Sequence, residues 1–137
     1  MTASRVVKSG GTGWSAVAPQ AYKSDTASYC EVTRRVLLGG AEGDDLAFEL
    51  RYFEVAPGGW TSLERHQHPH AVIVLAGRGE VRIGAERHPI EPFDAVYVAP
   101  GDPHQFLGGA GEKLGLLCVV DRDRDRPELL DEEALTP

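Results

Sequence analysis

The sequence predicts an all-β, single-domain jelly-roll β-barrel, and three observations predict it. The chain has 137 residues, enough to bury one core and too few to divide comfortably into two domains. Its 16 Gly and 9 Pro are spread along the length and leave few windows in which a long helix could run unbroken. Between them, short apolar runs recur roughly every 8 to 12 residues, the spacing of an antiparallel sandwich or barrel.

Residues 1–28 are small, polar and Gly-rich without a clear period, and are expected to form an irregular arm with at most one short strand. The barrel is expected over 29–120. It opens with "CEVTRRVLLGG" and continues through "DDLAFELRYFEVAPGG", "AVIVLAGRGEVRIGAE", "RHPIEPFDAVYVAPGD" and "EKLGLLCVVD", with Gly, Pro or Asp marking the breaks. The run 46–55 alternates, with Leu46, Phe48, Leu50 and Tyr52 on one face and Ala47, Glu49, Arg51, Phe53 and Val55 on the other. Gly77 and Gly79 bracket Arg78, which suits a tight turn joining two antiparallel strands. Residues 121–137, "DRDRDRPELLDEEALTP", form a charged tail with a short helix expected after Pro127, and a terminal segment of this kind is expected to be solvated and partly frayed.

Hydrophobic residues make up 42% of the chain and charged residues 26%, values ordinary for a globular protein. A formal net charge of -7 argues against nucleic acid and against an anionic membrane surface as partners, because either would repel the protein at long range. No segment has the apolar length of a signal peptide core or a membrane span, so a cytoplasmic protein is expected. Cys30 and Cys118 lie far apart in no metal or redox spacing and are expected to be free thiols.

Three of the five histidines fall in "SLERHQHPHAVIVLAG", where Glu64, His66, His68 and His70 alternate. A straight strand would place Glu64 and His70 roughly 20 Å apart at about 3.3 Å per residue, too far to share an ion whose bonds are about 2 Å long. Only an i, i+2 pair can share one, and a third ligand requires the chain to turn back. Pro69 supplies the reason for a bend near Gln67 to Pro69, since it lacks a backbone donor and restricts His68 before it. Two sets then converge: Glu64, His66 and His70, or His66, His68 and His70. Further along, "VAPGDPHQF" ends a strand at Ala99, turns through Pro100–Pro103 and presents His104, a rigid delivery that suits a fourth ligand. His88 belongs to no such pattern and reads as an exposed strand or turn residue.

These stretches resemble the signatures of the cupin superfamily, specifically the small single-domain metal-binding cupins. The first appears as "PGGWTSLERHQHPHAVIVLAGRGEV" and the second as "IEPFDAVYVAPGDPHQF", and the likeness spans roughly 29–120. Counted from Gly59, the resemblance implies Glu64, His66, His70 and His104 as metal ligands, with His68 at the bend as a neighbouring or alternative ligand. The chain departs from the family at Glu64, where many relatives have histidine, and the glutamate common after the His pair is absent. Phe93 and Ala99 also replace a usual Gly and Pro, and Gly108 stands where Asn is frequent.

Three neutral imidazoles and one carboxylate suit a single divalent transition ion, whether Fe, Mn, Ni, Cu or Zn. An octahedral ion held by four protein ligands would keep two positions for dioxygen or a chelating enol, diketone or hydroxy acid, and would act as a Lewis acid or pass electrons to oxygen. Non-haem dioxygenase chemistry on a small enolisable substrate is therefore the leading expectation. Isomerisation, elimination by a lyase, cyclisation, and non-catalytic ligand sensing are the alternatives. Phe48, Tyr52, Ile73, Phe106, Leu116 and Cys118 are candidate pocket-lining residues, with Cys118 sharing a core face with Leu114, Leu116 and Val120. The apolar edge strand "RRVLLGG" and the family's habit of sheet extension imply a homodimer.

Overall fold

The structure, a computed structural model, describes residues 2–10, 14, 17–25, 27–40 and 43–135. Its strands are β1 (Gln20–Ala21), β2 (Cys30–Leu38), β3 (Phe48–Trp60), β4 (Glu64–Arg65), β5 (His70–Ala76), β6 (Gly79–Ile83), β7 (Glu86–Ile90), β8 (Ala95–Val98), β9 (His104–Gly108), β10 (Leu114–Asp121) and β11 (Glu128–Leu129). One 3₁₀ turn, Glu132–Leu135, closes the chain. No helix among the described residues is long and apolar enough to cross a membrane.

Hydrogen bonding links all the strands into one antiparallel sheet curled into a jelly roll. One wall runs β2–β3–β10–β5–β8 and the other β7–β6–β9–β4–β11, joined where the far end of β3 meets β9 at Trp60 and Leu107. Between the walls lies a close-packed apolar core in which Val55, Val74 and Leu114 are fully buried. Branched residues dominate because they fit a pleated surface covered on its inner side.

The turn at Gly77 and Gly79 departs from expectation. β5 pairs with β10 and β8, whereas β6 pairs with β7 and β9, so the segment carries the chain from one wall to the other and closes no hairpin. The glycines serve close approach. Gly77 has φ +73° and a Cβ there would collide with the Lys113 carbonyl, while one on Gly79 would collide with the Leu107 carbonyl.

The tail also departs from expectation. It is strapped to the barrel: β11 pairs with β4, Arg65 meets Glu128 at 2.8 Å, Arg82 meets Glu132 at 2.6 Å, and Arg124 meets Glu49 at 2.8 Å. Alternating charge, which reads as a solvated end, here finds complementary charge on the barrel wall. The helix expected after Pro127 is instead a two-residue strand and a single 3₁₀ turn. At the other terminus, Arg5 pairs with Asp44 at 2.6 Å, and Trp14 packs edge-on against Tyr52 with ring centroids 4.9 Å apart.

Candidate metal centre

The bend at Gln67–His68 follows β4 and precedes β5, so Glu64 and His66 are presented before the turn and His70 after it. The Gly101 amide donates to the His66 carbonyl at 2.8 Å, which docks the Pro100–Pro103 turn onto the bend. Gly101 has φ +81°, a conformation that favours glycine. His104 then enters β9 directly opposite Glu64.

His66, His70 and His104 come together with their ligand nitrogens all within 4.8 Å of one another. The rings stand nearly perpendicular: His66 meets His70 at 4.6 Å and 79°, and His104 at 4.7 Å and 79°. Three buried imidazoles meeting edge-on form a corner, the arrangement in which three lone pairs can address one point.

The outer nitrogens are fixed by neighbours. His66 Nδ1 donates to the His68 carbonyl at 2.6 Å and His104 Nδ1 to the Asp102 carbonyl at 2.9 Å. A carbonyl only accepts, so each Nδ1 carries the proton and each Nε2 is left with a bare lone pair. Both Nε2 atoms are buried and have no hydrogen-bond partner. Leaving a buried acceptor unsatisfied costs about 1–3 kcal/mol, so two such atoms in one corner call for an electrophile. His70 Nδ1 contacts Cys118 Sγ at 3.1 Å.

Burial, reinforced by neighbouring imidazoles, holds His66 down to about 4 and His70 down to about 2, and burial lowers His104 as well. All three are neutral near pH 7, the state a ligand needs. The donor set therefore fits a divalent transition ion.

Glu64 and His68 stand apart from this trio. The Glu64 carboxylate is ion-paired with Lys23, although it lies close enough to His104 to favour that ring's protonated form. His68 stacks on His66 at 3.6 Å and bonds through Nδ1 to Asp125 at 2.8 Å. Asp125 also accepts from the Gln67 amide at 2.8 Å and the His68 amide at 3.0 Å, so the tail clamps the bend. His88 is exposed and contacts Glu86 at 3.2 Å.

The trio lies in a cavity of about 530 Å³ whose wall includes Phe106, Leu116 and Cys118. Phe48, Tyr52 and Ile73 do not line it, which corrects the expectation. Phe48 and Ile73 are 40% and 43% exposed, and Tyr52 lies on the outer face of β3 beneath Trp14. The inner face of β3 carries Arg51 and Phe53, and that of β5 carries Val72. Parity was legible for β3, but the more apolar face turned out to be the outer one, covered by the arm. Sequence reasoning also missed Lys23, Tyr22 and the tail residues Arg124 and Arg126, which line the cavity. Nothing local marks them, because they arrive from outside the two signatures.

The family model described as "Cupin domain" matches residues 51–120, and a curated protein 45% identical over 123 residues matches 89% of this chain. The chain is a cupin. That relative, of which 77% is covered, is a 1-methylthio-D-xylulose 5-phosphate methylsulfurylase from Rhodospirillum rubrum. A crystal structure of a cupin-2 domain protein from the same organism superposes with TM-score 0.80 at 42% identity, over 94% of this chain and 85% of that one. A polyketide cyclase from Streptomyces resistomycificus superposes with TM-score 0.75 at 28% identity, over 85% of this cupin and 82% of the cyclase. The cupin thus has relatives named as enzymes, and its three histidines are arranged as a metal site can be.

Proposed function

We propose that this cupin is a metal-dependent enzyme that binds a small keto substrate through its oxygens and breaks or makes a bond next to the carbonyl. The substrate proposed is 1-methylthio-D-xylulose 5-phosphate or a close analogue, with loss of the methylthio group. The observation that carries the enzyme reading is the pair of orphaned Nε2 atoms on two of three histidines whose ligand nitrogens lie within 4.8 Å of one another, in a cavity of about 530 Å³. The substrate class is supported by the 45% identity with the methylsulfurylase.

His66, His70 and His104 would hold the ion, and Glu64 would complete the set once released from Lys23. When bound, the ion supplies Lewis acidity to a carbonyl oxygen. Tyr22 lines the cavity, and burial together with the Glu64 charge holds its hydroxyl protonated, so it can donate at its Oη. Tyr22, Lys23, Ser24, Asp25, Arg124, Arg126 and Pro127 add the two terminal segments to the cavity wall. The methylthio group leaves most readily when the C–S electron pair stays on carbon as an enolate, and an external thiol accepts the methylsulfenyl group as a mixed disulfide. A dioxygenase would instead consume oxygen; this second reading rests on the open positions that a four-ligand site leaves.

The test is turnover of 1-methylthio-D-xylulose 5-phosphate by protein loaded in turn with Mn, Fe, Ni and Zn, with a small thiol, in air and under argon. Thiol-dependent loss of the methylthio group under argon supports the proposal. Turnover requiring oxygen supports the dioxygenase reading. We further propose a homodimer. Among the described residues, β1 pairs with β2 only at Thr33 and Arg34, which would leave part of that edge for sheet extension.

A further inference from the structure

Arg51 is a guanidinium in the wrong place for a structural residue. It sits on the inner face of β3, is 7% exposed, and its Nε is buried without a hydrogen-bond partner. Its neighbours on that face are the Phe53 ring, 5.0 Å from its carbon, and Cys118, directly opposite on β10. Arg34, on β2 opposite Phe53, lines the same cavity and also has a buried, partnerless Nε.

Neither arginine forms an ion pair with a carboxylate among the described residues. Glu49 holds Arg124 at 2.8 Å, Glu64 holds Lys23, and Asp25 accepts from the Ala27 and Ser28 amides. Burial first, then repulsion from Arg124 and Arg34, disfavours the charged form of Arg51, and a hydrogen bond with the Cys118 thiol offsets this only in part. A buried cation without a counter-charge costs several kcal/mol, and here the buried Arg51 shares the cavity wall with the half-buried Arg34.

We infer that Arg51 and Arg34 form an anion-binding end of the cavity that receives the phosphomonoester group of the substrate. Two unpaired guanidiniums match a phosphate, which carries about -1.5 to -2 near neutral pH and accepts forked donors, better than they match a singly charged carboxylate. Position fits as well. Cys118 faces Arg51 across the strand pair and touches His70 at 3.1 Å, so the anion end lies one side chain from the histidine corner. A substrate a few carbons long can present its carbonyl to one and its phosphate to the other. This deepens the reading above by assigning residues to the substrate's charged end, and it rests on that reading only for the word substrate.

The experiment needs no turnover. Orthophosphate, and separately acetate, are titrated by calorimetry into the metal-free full-length chain and into Arg51→Met and Arg34→Gln, with thermal melts of each. The wild type is expected to bind orthophosphate, with acetate at least about 10-fold weaker, and each variant to lose about 30-fold in phosphate affinity. Without phosphate, Arg51→Met should melt no lower than wild type, because it removes an unpaired buried charge and keeps the volume. Arg34 is only half buried, so its variant tests binding even if Arg51→Met fails to fold. Absence of phosphate binding by the wild type, acetate binding as tight as phosphate, or unchanged affinity in either folded variant overturns the inference. If phosphate binds as expected and the methylthio ketose phosphate is not turned over, the function proposed above fails and this site stands.

Discussion

Replacing His104 by Ala should abolish the stabilisation that a divalent ion confers, while leaving the metal-free fold nearly as stable as before. In the metal-free protein His104 contributes one hydrogen bond, from Nδ1 to the Asp102 carbonyl at 2.9 Å, and one orphaned buried acceptor at Nε2. The bond is worth about 1 kcal/mol and the orphan costs about 1–3 kcal/mol, so deletion exchanges terms of similar size and opens the cavity a little further. With metal the account changes. An ion at about 100 times its dissociation constant stabilises the folded state by about 2.7 kcal/mol, which for a domain of this length raises the midpoint by about 10 °C. That shift should vanish in His104→Ala and in His66→Ala. In His68→Ala it should persist, reduced by about 5 °C, because the ring only buttresses His66 and loss of such a supporting group typically costs affinity about 10-fold. Glu64→Gln should fall between. The assay is a melt of each variant in chelator and in excess Mn or Zn, with metal content measured on the purified protein. A full shift in His104→Ala, or none in His68→Ala, would refute the assignment; a full shift in Glu64→Gln would remove Glu64 from the ligand set.

The metal-free protein should lose stability on acidification. His66, at about 4, and His70, at about 2, lie below an unfolded histidine near 6.5, so the unfolded chain takes up protons first; their stabilisation is complete above about pH 6.5 and lost as pH falls toward 4. Melts in chelator at pH 7.5 and 4.5 check this, and equal midpoints would count against it. Phe93 has φ +74° and is 83% exposed, in a position where relatives of this family commonly have glycine, so Phe93→Gly should stabilise by about 1 kcal/mol or less, read from urea unfolding. Cys118, 3% exposed with its thiol pushed up by burial, should resist iodoacetamide in the native state while the half-buried Cys30 reacts, as peptide mapping of the labelled protein would show. Light scattering at micromolar concentration should give twice the chain mass of 14.8 kDa, and a monomer there would contradict the dimer.

The class of fold and the bend between His66 and His70 were legible in the sequence, because both depend on short-range chemistry, whereas two ligand sets stayed open until the family resemblance chose one. Strand alternation, Gly and Pro breaks, and the restriction Pro69 places on His68 act over a few residues, so the bend and the rigid turn before His104 are legible without any partner. Tertiary structure decided what those segments meet. Which face of β3 points inward depends on what covers the other: the arm lays Trp14 on Tyr52, and the inner face is left to Arg51 and Phe53. Apolar character misleads there because a cavity keeps polar groups that a solid core would reject. The crossing at Gly77, the pairing of Lys23 with Glu64, and the clamp of Asp125 on His68 join residues far apart in sequence. No local pattern encodes such contacts, since they arise only when the barrel closes and the segments flanking it pack against its wall.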